Sequence, residues 1–234
     1  VAFQDGPFIA LRTYCLGLGL PMVAAERNAP TRFDFVRGGA RKKAFSFAML
    51  RLAQLIVVQC EAYRTLYPRS LRSRIAVIPN PVAPAVKRAC PGIPGEAGRY
   101  GLLSVGRLSF QKNFECLIRA FSSLAARFPD WTLTILGEGE SRTTLSWLVD
   151  QLGMADRILL PGASPDPSGH YAGANLFCLP SRWEGFPNAL AEAMAHGLPA
   201  VGFADCAGVN ELIVEGETGS LAPGMDDPAA LART

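Results

Sequence analysis

The sequence is poor in the residues that metal and redox sites require. Its 234 residues include only two histidines, His170 and His196, and six cysteines without a Cys-x-x-Cys pair among them. Several of the cysteines lie inside apolar runs, where a reduced thiol behaves as a small hydrophobe. The sequence therefore predicts that there is no metal site and that the protein works in a reducing, cytosolic compartment.

Long apolar runs and a strong net charge are also lacking. No stretch reaches about 18 consecutive apolar residues and no signal peptide is visible, so no membrane-spanning segment is expected. The net charge of +3 is too small to argue for a nucleic-acid partner. One basic cluster, RGGARKK at residues 37–43, fits either a solvated helix start or a contact with an anionic membrane surface.

The composition is that of a packed globular protein. Hydrophobic residues make up 49% of the chain and charged residues only 18%, which excludes a disordered chain. The chain begins at Val1 rather than at a methionine, and it closes on DDPAALART, which has the pattern of a helix start. These ends predict an internal fragment of a longer protein.

Short apolar segments alternate with amphipathic ones along most of the chain. Continuous apolar strands separated by helices are typical of a parallel sheet that is buried on both faces. The sequence therefore predicts an α/β fold. The expected strands are at 22–26, 55–60, 75–80, 100–108, 131–139, 157–162, 175–181 and 199–203, and the expected helices include 113–128, 141–154 and 187–197.

A passage rich in proline, glycine and alanine divides this pattern into two parts. Residues 1–82 are predicted to be the last portion of one α/β unit. Residues 83–98 are the expected linker, because PNPVAPAV is stiff and extended. Residues 99–234 are predicted to form a doubly wound α/β domain.

The first candidate site follows the first strand of the second domain, because ligands of open α/β sheets bind beyond the carboxyl ends of the strands. Gly106 lets backbone approach closely, and Arg107 and Lys112 stand on a loop before a helix that opens near Asn113. Two cations beside a helix N-terminus predict an anion site, the alternative being surface charges on a loop. The P-loop pattern and a complete G-x-G-x-x-G are both absent, which weakens a nicotinamide interpretation.

A second candidate is the segment LGEGES at residues 136–141. Its glycines permit a tight turn after a strand, and Glu138 is placed to face the ligand cleft. The alternative is a simple turn, so Glu138 is assigned a supporting role only.

The third candidate is a pair of acids around a strand-to-helix turn. Glu184 lies in the turn, and Glu192 lies about one helical turn further along. A carboxylate can accept hydrogen bonds from two vicinal hydroxyls, as on a ribose. The N–H groups near Asn188 and Ala189 would point toward a phosphate at the helix start. The alternative is a helix-dipole acid followed by an exposed helical glutamate.

Four motifs, taken in order, resemble the retaining GT-B glycosyltransferases of family four. They are VGRLSFQKN, LGEGE, LPSRWEGFPNALAEAMAHGLPAV and NELIVEGETGSLAP, and the resemblance covers residues 75–234 well. Upstream, GLPMVAAERNAPTRF and LIVVQCEAYRTLY resemble the later part of the acceptor-binding domain of that family. The resemblance implies two Rossmann-like domains, a truncated N-terminal one and a C-terminal one that lacks only its last helices.

The resemblance also implies a reaction and its residues. A sugar would pass from a nucleoside diphosphate sugar to an acceptor hydroxyl with retention of the anomeric configuration. Arg107 and Lys112 would hold the diphosphate, Glu192 the ribose hydroxyls, and Glu184 the hydroxyls of the transferred sugar. Backbone of Gly106, Gly185, Phe186, Asn188 and Ala189 would serve the sugar and phosphates, and the backbone from Leu160 to Gly162 would lie near the base.

The implied chemistry needs no metal and no cofactor besides the sugar nucleotide, which is the substrate. Two fixed cations and a helix N-terminus stabilise the charge that builds on the leaving diphosphate. In the resembling family the leaving phosphate is thought to take the acceptor proton. Pro187, expected in the first helical turn, departs from the glycine that the family often carries, so neighbouring residues must supply any N–H donor there.

The resemblance also bears on the partners. UDP is the expected nucleotide, and a glycan or lipid-linked acceptor of bacterial capsule or lipopolysaccharide synthesis is the expected acceptor. A lipid-linked acceptor would agree with a peripheral membrane contact through residues 37–43, at the cytoplasmic face. The alternatives are a donor-binding fragment that is inactive alone, a sugar-nucleotide epimerase of the same architecture and, more distantly, a nicotinamide enzyme.

Overall fold

The structure, a computed structural model, describes residues 1–95 and 98–234. Its contacts divide the chain into two units. The first consists of Val1–Pro81 together with Trp183–Phe186, and the second of Val82–Arg182 together with Pro187–Thr234. Each unit is built on one parallel sheet flanked by helices, so the predicted α/β fold class is confirmed.

The first unit has a four-stranded sheet in the order β1-β2-β3-β4, with every neighbouring pair parallel. Apolar side chains such as those of Ala24 and Ile56 are fully buried in it. The strands are β1 Ala2–Phe3, β2 Val23–Ala25, β3 Leu55–Val58 and β4 Ile75–Val77; the helices are α1 Asp5–Tyr14, a 3-10 turn Pro30–Phe35, α2 Gly39–Leu50, α3 Glu61–Leu66 and α4 Arg69–Arg72.

The second unit has a six-stranded parallel sheet in the order β10-β9-β8-β5-β6-β7. Strand β5, the first strand of this unit, therefore lies inside the sheet. Strands β6 and β7 extend the sheet on one side of β5, and β8, β9 and β10 extend it on the other. The strands are β5 Tyr100–Val105, β6 Trp131–Leu136, β7 Ile158–Gly162, β8 Leu176–Leu179, β9 Ala200–Phe203 and β10 Gly219–Ala222. The helices are α5 Phe114–Leu124, α6 Arg142–Gln151, α7 Ser168–Gly173, α8 Asn188–Ala195, α9 Val209–Leu212 and α10 Pro228–Arg233, with a 3-10 turn at Phe110–Lys112.

The apolar pattern explains how the second unit packs. Leu133 and Ile135 of β6 and Phe177 of β8 are fully buried, as expected for strands that helices cover on both faces. In α5 the buried side chains recur at helical spacing, and they include Ile118, whereas Arg119 faces solvent. These residues belong to one continuous core.

The start of α8 and the strands β1 and β10 differ from the sequence prediction. Helix α8 begins at Asn188, and Pro187 stands just before it as the N-cap residue, so the prediction that Pro187 lies in the first helical turn is wrong. A ψ of 70° keeps this proline out of the helical conformation. Strand β10 was not predicted, because its four residues contain only one large apolar side chain, Leu221. The predicted helix stop at Gly197 is confirmed, since its φ of +83° suits glycine.

All six cysteines lie within the described residues, 1–95 and 98–234. No disulfide links any of the six cysteines there, and burial raises the pKa of the Cys116 thiol to about 12. Among the helices at 1–95 and 98–234, none combines the length and the apolar character that crossing a bilayer demands. Within the same residues, no group of three or more potential ligands could hold a metal ion.

Candidate active site

The strand order of the second unit marks one place on its sheet. The direction of winding reverses between β5 and β8, and open parallel sheets bind ligands at the carboxyl edge of such a switch point. Gly106 and Arg107 follow β5 directly, and Ser181 and Arg182 follow β8 after one proline. The topology therefore places the predicted anion loop at the switch point.

Lys112 returns along its loop to the end of β5. A Cβ atom added to Gly106 would lie 2.9 Å from Cε and 3.2 Å from Cδ of Lys112, so the lysine stem packs directly on the glycine. The loop is tied to the segment after β8, because the Arg182 amide donates to the carbonyl of Gln111 at 2.9 Å. Arg107 on the same loop is exposed. The structure thus brings Gly106 and Lys112 together beside both strands of the switch point.

The glycines of the LGEGE motif serve a close approach of two backbone segments. A Cβ atom on Gly137 would lie 1.9 Å from the carbonyl oxygen of Gly106, and one on Gly139 would lie 2.4 Å from that of Leu108. The Leu108 amide donates to the carbonyl of Glu138 at 2.8 Å. No residue with a side chain fits at Gly137 or Gly139 without a backbone shift, so two of the sequence motifs form one piece of structure.

Glu138 is paired with an arginine that the sequence analysis did not single out. Both carboxylate oxygens of Glu138 accept from Arg142 at 2.7 Å, and Arg142 also donates to the carbonyl of Leu160 at 3.1 Å. The hydrogen bonds from Arg142 hold the pKa of Glu138 below its usual value. A Cβ atom on Gly162 would lie 3.0 Å from Glu138 Oε1. The fold therefore brings together Glu138, Leu160 and Gly162, as their predicted place in one donor site requires.

The Glu192 carboxylate is held by a tyrosine from another helix. Glu192 lies on α8, and the Tyr171 hydroxyl on α7 donates to its Oε2 at 2.9 Å. The Tyr171 ring packs against the His196 ring with 5.1 Å between centroids. His196 Nδ1 lies 2.8 Å from the carbonyl oxygen of Glu192. A merely exposed helical glutamate would lack this support, so the surroundings favour a functional role for the side chain.

The start of α8 supplies the remaining predicted groups of the second unit. Asn188, its first residue, is exposed, and Ala189 is half-buried. The helix runs for eight residues, so the positive end of its dipole lies at Asn188.

Glu184, Gly185 and Phe186 belong to the first unit. The peptide carbonyl of Glu184 accepts from the Ala29 amide at 3.1 Å and from the Tyr63 hydroxyl at 2.5 Å, and the residue is only 4% exposed. A Cβ atom on Gly185 would lie 1.8 Å from the carbonyl oxygen of Arg27. The first unit therefore fixes the backbone of this turn, whereas Arg107, Lys112 and Glu192 belong to the second unit.

Comparison with known proteins places the chain in a family. Residues 94–234, more than half of the chain, match the family described as Glycosyl transferases group 1. The chain belongs to this family. The assignment to glycosyltransferases rests on the very region that carries the switch point and the Glu192 cluster.

Individual relatives agree with the family. An uncharacterised glycosyltransferase of Haemophilus influenzae is 35% identical over 192 residues, which cover 81% of this chain and 53% of that protein. A Campylobacter jejuni N-acetylgalactosaminyltransferase, whose name specifies a diphospho-undecaprenol acceptor, is 37% identical over 120 residues, or 51% of this chain and 32% of that protein. The chain therefore spans about half the length, or less, of these relatives.

Solved structures confirm the GT-B fold. The crystal structure of Anabaena HepE in complex with UDP and glucose has a TM-score of 0.82 and 20% sequence identity, covering 99% of this chain and 66% of that one. At this level of sequence identity, the structural likeness establishes only the architecture of the chain.

The sequence analysis missed three residues that contact the predicted site residues, namely Tyr63, Arg142 and Tyr171. Arg142 follows Glu138 by four residues, but Glu138 lies in the loop before α6, so helical spacing alone does not predict their ion pair. The two tyrosines could not have been found from the sequence, because each contacts its glutamate only in the folded chain.

Proposed function

We propose that this group 1 glycosyltransferase moves a sugar from a nucleoside diphosphate sugar to an acceptor hydroxyl with retention of configuration. The proposal is carried by one observation. At the switch point of the second unit, the Lys112 stem packs on Gly106 in a loop tied to the end of β8, and the helix that follows β8 presents a carboxylate already held in place. Such a site offers cations for phosphates and an acceptor for hydroxyls.

The charges of the second unit suit the departure of a diphosphate. Negative charge grows on the leaving group as the glycosidic bond breaks, so Arg107 and Lys112 would stabilise the transition state more than the bound donor. The positive end of the α8 dipole would act in the same direction. The proton of the attacking hydroxyl would pass to the leaving phosphate oxygen on the same face of the sugar. The reaction as proposed needs no metal ion.

In this proposal the two acids bind different parts of the donor. Glu192 would accept from the ribose hydroxyls, and Glu184 would accept from hydroxyls of the transferred sugar. The backbone from Leu160 to Gly162 would lie along the base, and Glu138 with Arg142 would hold that backbone, since Arg142 donates to the Leu160 carbonyl. Gly185, Phe186, Asn188 and Ala189 would contribute backbone contacts to the sugar and the phosphates.

The identities of donor and acceptor are argued from relatives and from surface charge. UDP is the proposed nucleotide, supported by the UDP that the similar HepE structure binds. A glycan or a lipid-linked saccharide is the proposed acceptor, in line with the acceptor named for the Campylobacter relative. The exposed Arg41 and Lys42 on α2 fit a contact with an anionic membrane surface at the cytoplasmic face, where such an acceptor would lie.

The test is a screen of UDP-sugars with candidate acceptors, scored by nucleotide release and by the anomeric configuration of the product. Glu192→Ala should weaken UDP binding, and Glu184→Ala should mainly lower turnover. Glu115→Ala, at an exposed helical glutamate paired with Arg119, is the matched control and should change neither. Equal donor affinity and equal rate in the two test variants would refute the assignment. UDP binding without transfer to any acceptor would restrict this chain to donor binding.

A further inference from the structure

Tyr171 is almost fully buried, and its hydroxyl, the only polar group of the side chain, forms a hydrogen bond with Glu192. The side chain is 1% exposed, and its hydroxyl donates to Glu192 Oε2 at 2.9 Å. Tyr171 lies on α7, which precedes β8, whereas Glu192 lies on α8, which follows it. This hydrogen bond therefore links α7 to α8, and it engages one oxygen of the Glu192 carboxylate.

The tyrosine is itself held on two sides. Its ring packs at 5.1 Å from the His196 ring and at 6.0 Å from the Phe177 ring. A carbonyl oxygen can only accept, so His196 must donate its Nδ1–H to the carbonyl of Glu192. The contacts form a closed chain from the Glu192 carboxylate to Tyr171, to His196 and back to the Glu192 backbone. A side chain supported in this way has little freedom to leave the carboxylate.

The hydrogen bond leaves the carboxylate able to bind a diol. An ionised carboxylate offers about four lone pairs on two oxygens, and the Tyr171 hydroxyl uses one of those on Oε2. At least one lone pair stays available on each oxygen, which is what two vicinal hydroxyls require. The tyrosine removes the rotational freedom that Glu192 would otherwise lose when a ligand binds, and pre-organisation of this kind strengthens binding.

We propose that Tyr171 is a positioning residue for the ribose of the donor nucleotide, acting through Glu192. This inference rests on the proposed function, because it takes Glu192 to be the ribose acceptor. Tyr171 does not touch the reacting atoms. Its role is to hold the carboxylate plane so that both ribose hydroxyls meet an oxygen.

The experiment compares Tyr171→Phe with Tyr100→Phe by calorimetric titration of the whole chain with UDP and with 2′,3′-dideoxy-UDP. Tyr100 lies in the same unit, at the start of β5, and its ring stacks on Trp131. We expect Tyr171→Phe to bind UDP about fivefold more weakly, because Glu192 would then lose its side-chain freedom on binding, and Tyr100→Phe to bind it normally. The dideoxy nucleotide should bind equally to wild type and to Tyr171→Phe, because it offers no diol.

A double-mutant cycle with Glu192→Ala separates this inference from the proposed function. If Glu192→Ala leaves UDP affinity unchanged, the proposed function fails. If Glu192→Ala weakens binding and Tyr171→Phe does not, only the inference fails. A merely structural role for Tyr171 would weaken both nucleotides equally and would persist in the Glu192→Ala background. Stronger UDP binding by Tyr171→Phe would overturn the proposal differently, by showing that the hydroxyl competes with the ribose.

Discussion

The two acids proposed to bind the donor, one in each unit, are held in opposite ways. Glu192 is held through its side chain, by a hydroxyl 21 residues earlier in its own unit. Glu184 is held through its backbone, because Ala29 and Tyr63 donate to its peptide carbonyl from more than 120 residues earlier. One acid is therefore fixed by its rotamer and the other by the path of the loop that carries it.

This comparison makes the two acids sensitive to different substitutions. Glu192 should respond to changes in the hydrogen-bonding partner of its carboxylate. Glu184 should respond to changes that move the backbone of the turn, even where they leave its side chain intact.

The largest effect is expected from Gly185→Ala, which should displace the turn that carries Glu184. The new Cβ atom would lie 1.8 Å from the Arg27 carbonyl oxygen, so the turn must move by more than about 1 Å, and a misplacement of that size lowers turnover by about a hundredfold. UDP affinity should fall much less than turnover, because the contact proposed between Glu192 and the ribose is unaffected. The measurements are steady-state kinetics and UDP titration. Gly6→Ala is the control, since nothing lies within 4 Å of its added Cβ; similar losses in both variants would contradict the prediction.

The next largest effect is expected at the two cations that are proposed to hold the diphosphate of the donor. Lys112→Ala and Arg107→Ala should each lower kcat by about one to two decades, because a hydrogen bond to a charged group contributes about 1.5–3 kcal/mol and 1.36 kcal/mol is tenfold. UDP affinity should fall less than kcat, since the charge on the diphosphate grows in the transition state. Pre-steady-state donor binding separates the two quantities. Lys87→Ala and Arg119→Ala, at exposed cations of the same unit, should leave both unchanged.

A smaller effect tests the backbone support of Glu184. Tyr63→Phe removes the hydroxyl that donates to the Glu184 carbonyl and keeps the ring, and the Ala29 amide still donates there. We expect kcat to fall about fivefold with UDP affinity unchanged, because one hydrogen bond of about 1 kcal/mol is lost. Tyr14→Phe, at an exposed tyrosine of the same unit, is the control. A loss of UDP affinity in Tyr63→Phe, with kcat intact, would contradict the contrast between the acids.

The last prediction concerns stability rather than activity, at another buried acid of the first unit, Glu26. Burial first, and Asp5 next, raise its pKa from 4.5 to about 7, against the opposing effect of Arg32. The folded chain then binds more protons than the unfolded chain between these values, so the free energy of unfolding falls as pH rises from about 4.5 to 7. The loss is on the order of 3 kcal/mol, at 1.36 kcal/mol per pKa unit.

Glu26→Gln should remove this pH dependence. Urea unfolding at pH 5 and pH 8 should show wild type losing stability between the two values and the variant losing much less. Asp5, Arg32 and Tyr67 are the neighbouring groups that interact electrostatically with Glu26 or with each other, and they remain in the variant. Parallel stability profiles for the two proteins would show that Glu26 is already ionised in the folded chain.

Much of the fold could be predicted from the sequence because its signals are local. The spacing of apolar residues over a short stretch predicts strand β6 and helix α5. Gly197 predicts the end of α8, because its positive φ suits glycine. The short edge strand β10 could not be predicted, since an exposed edge needs few apolar side chains. The start of α8 was misplaced by one residue, because Pro187 is compatible both with a first turn and with a cap.

The α/β pattern and the residue types at the carboxyl ends of the strands follow from local sequence, because burial periodicity and turn chemistry act over short distances. Three contacts become visible only in the folded chain: Lys112 packs on Gly106, Tyr171 holds the Glu192 carboxylate, and Tyr63 holds the Glu184 backbone. Each of these contacts joins side chains or backbone from different elements. Their geometry depends on strand order and on packing, which no local pattern of residues encodes.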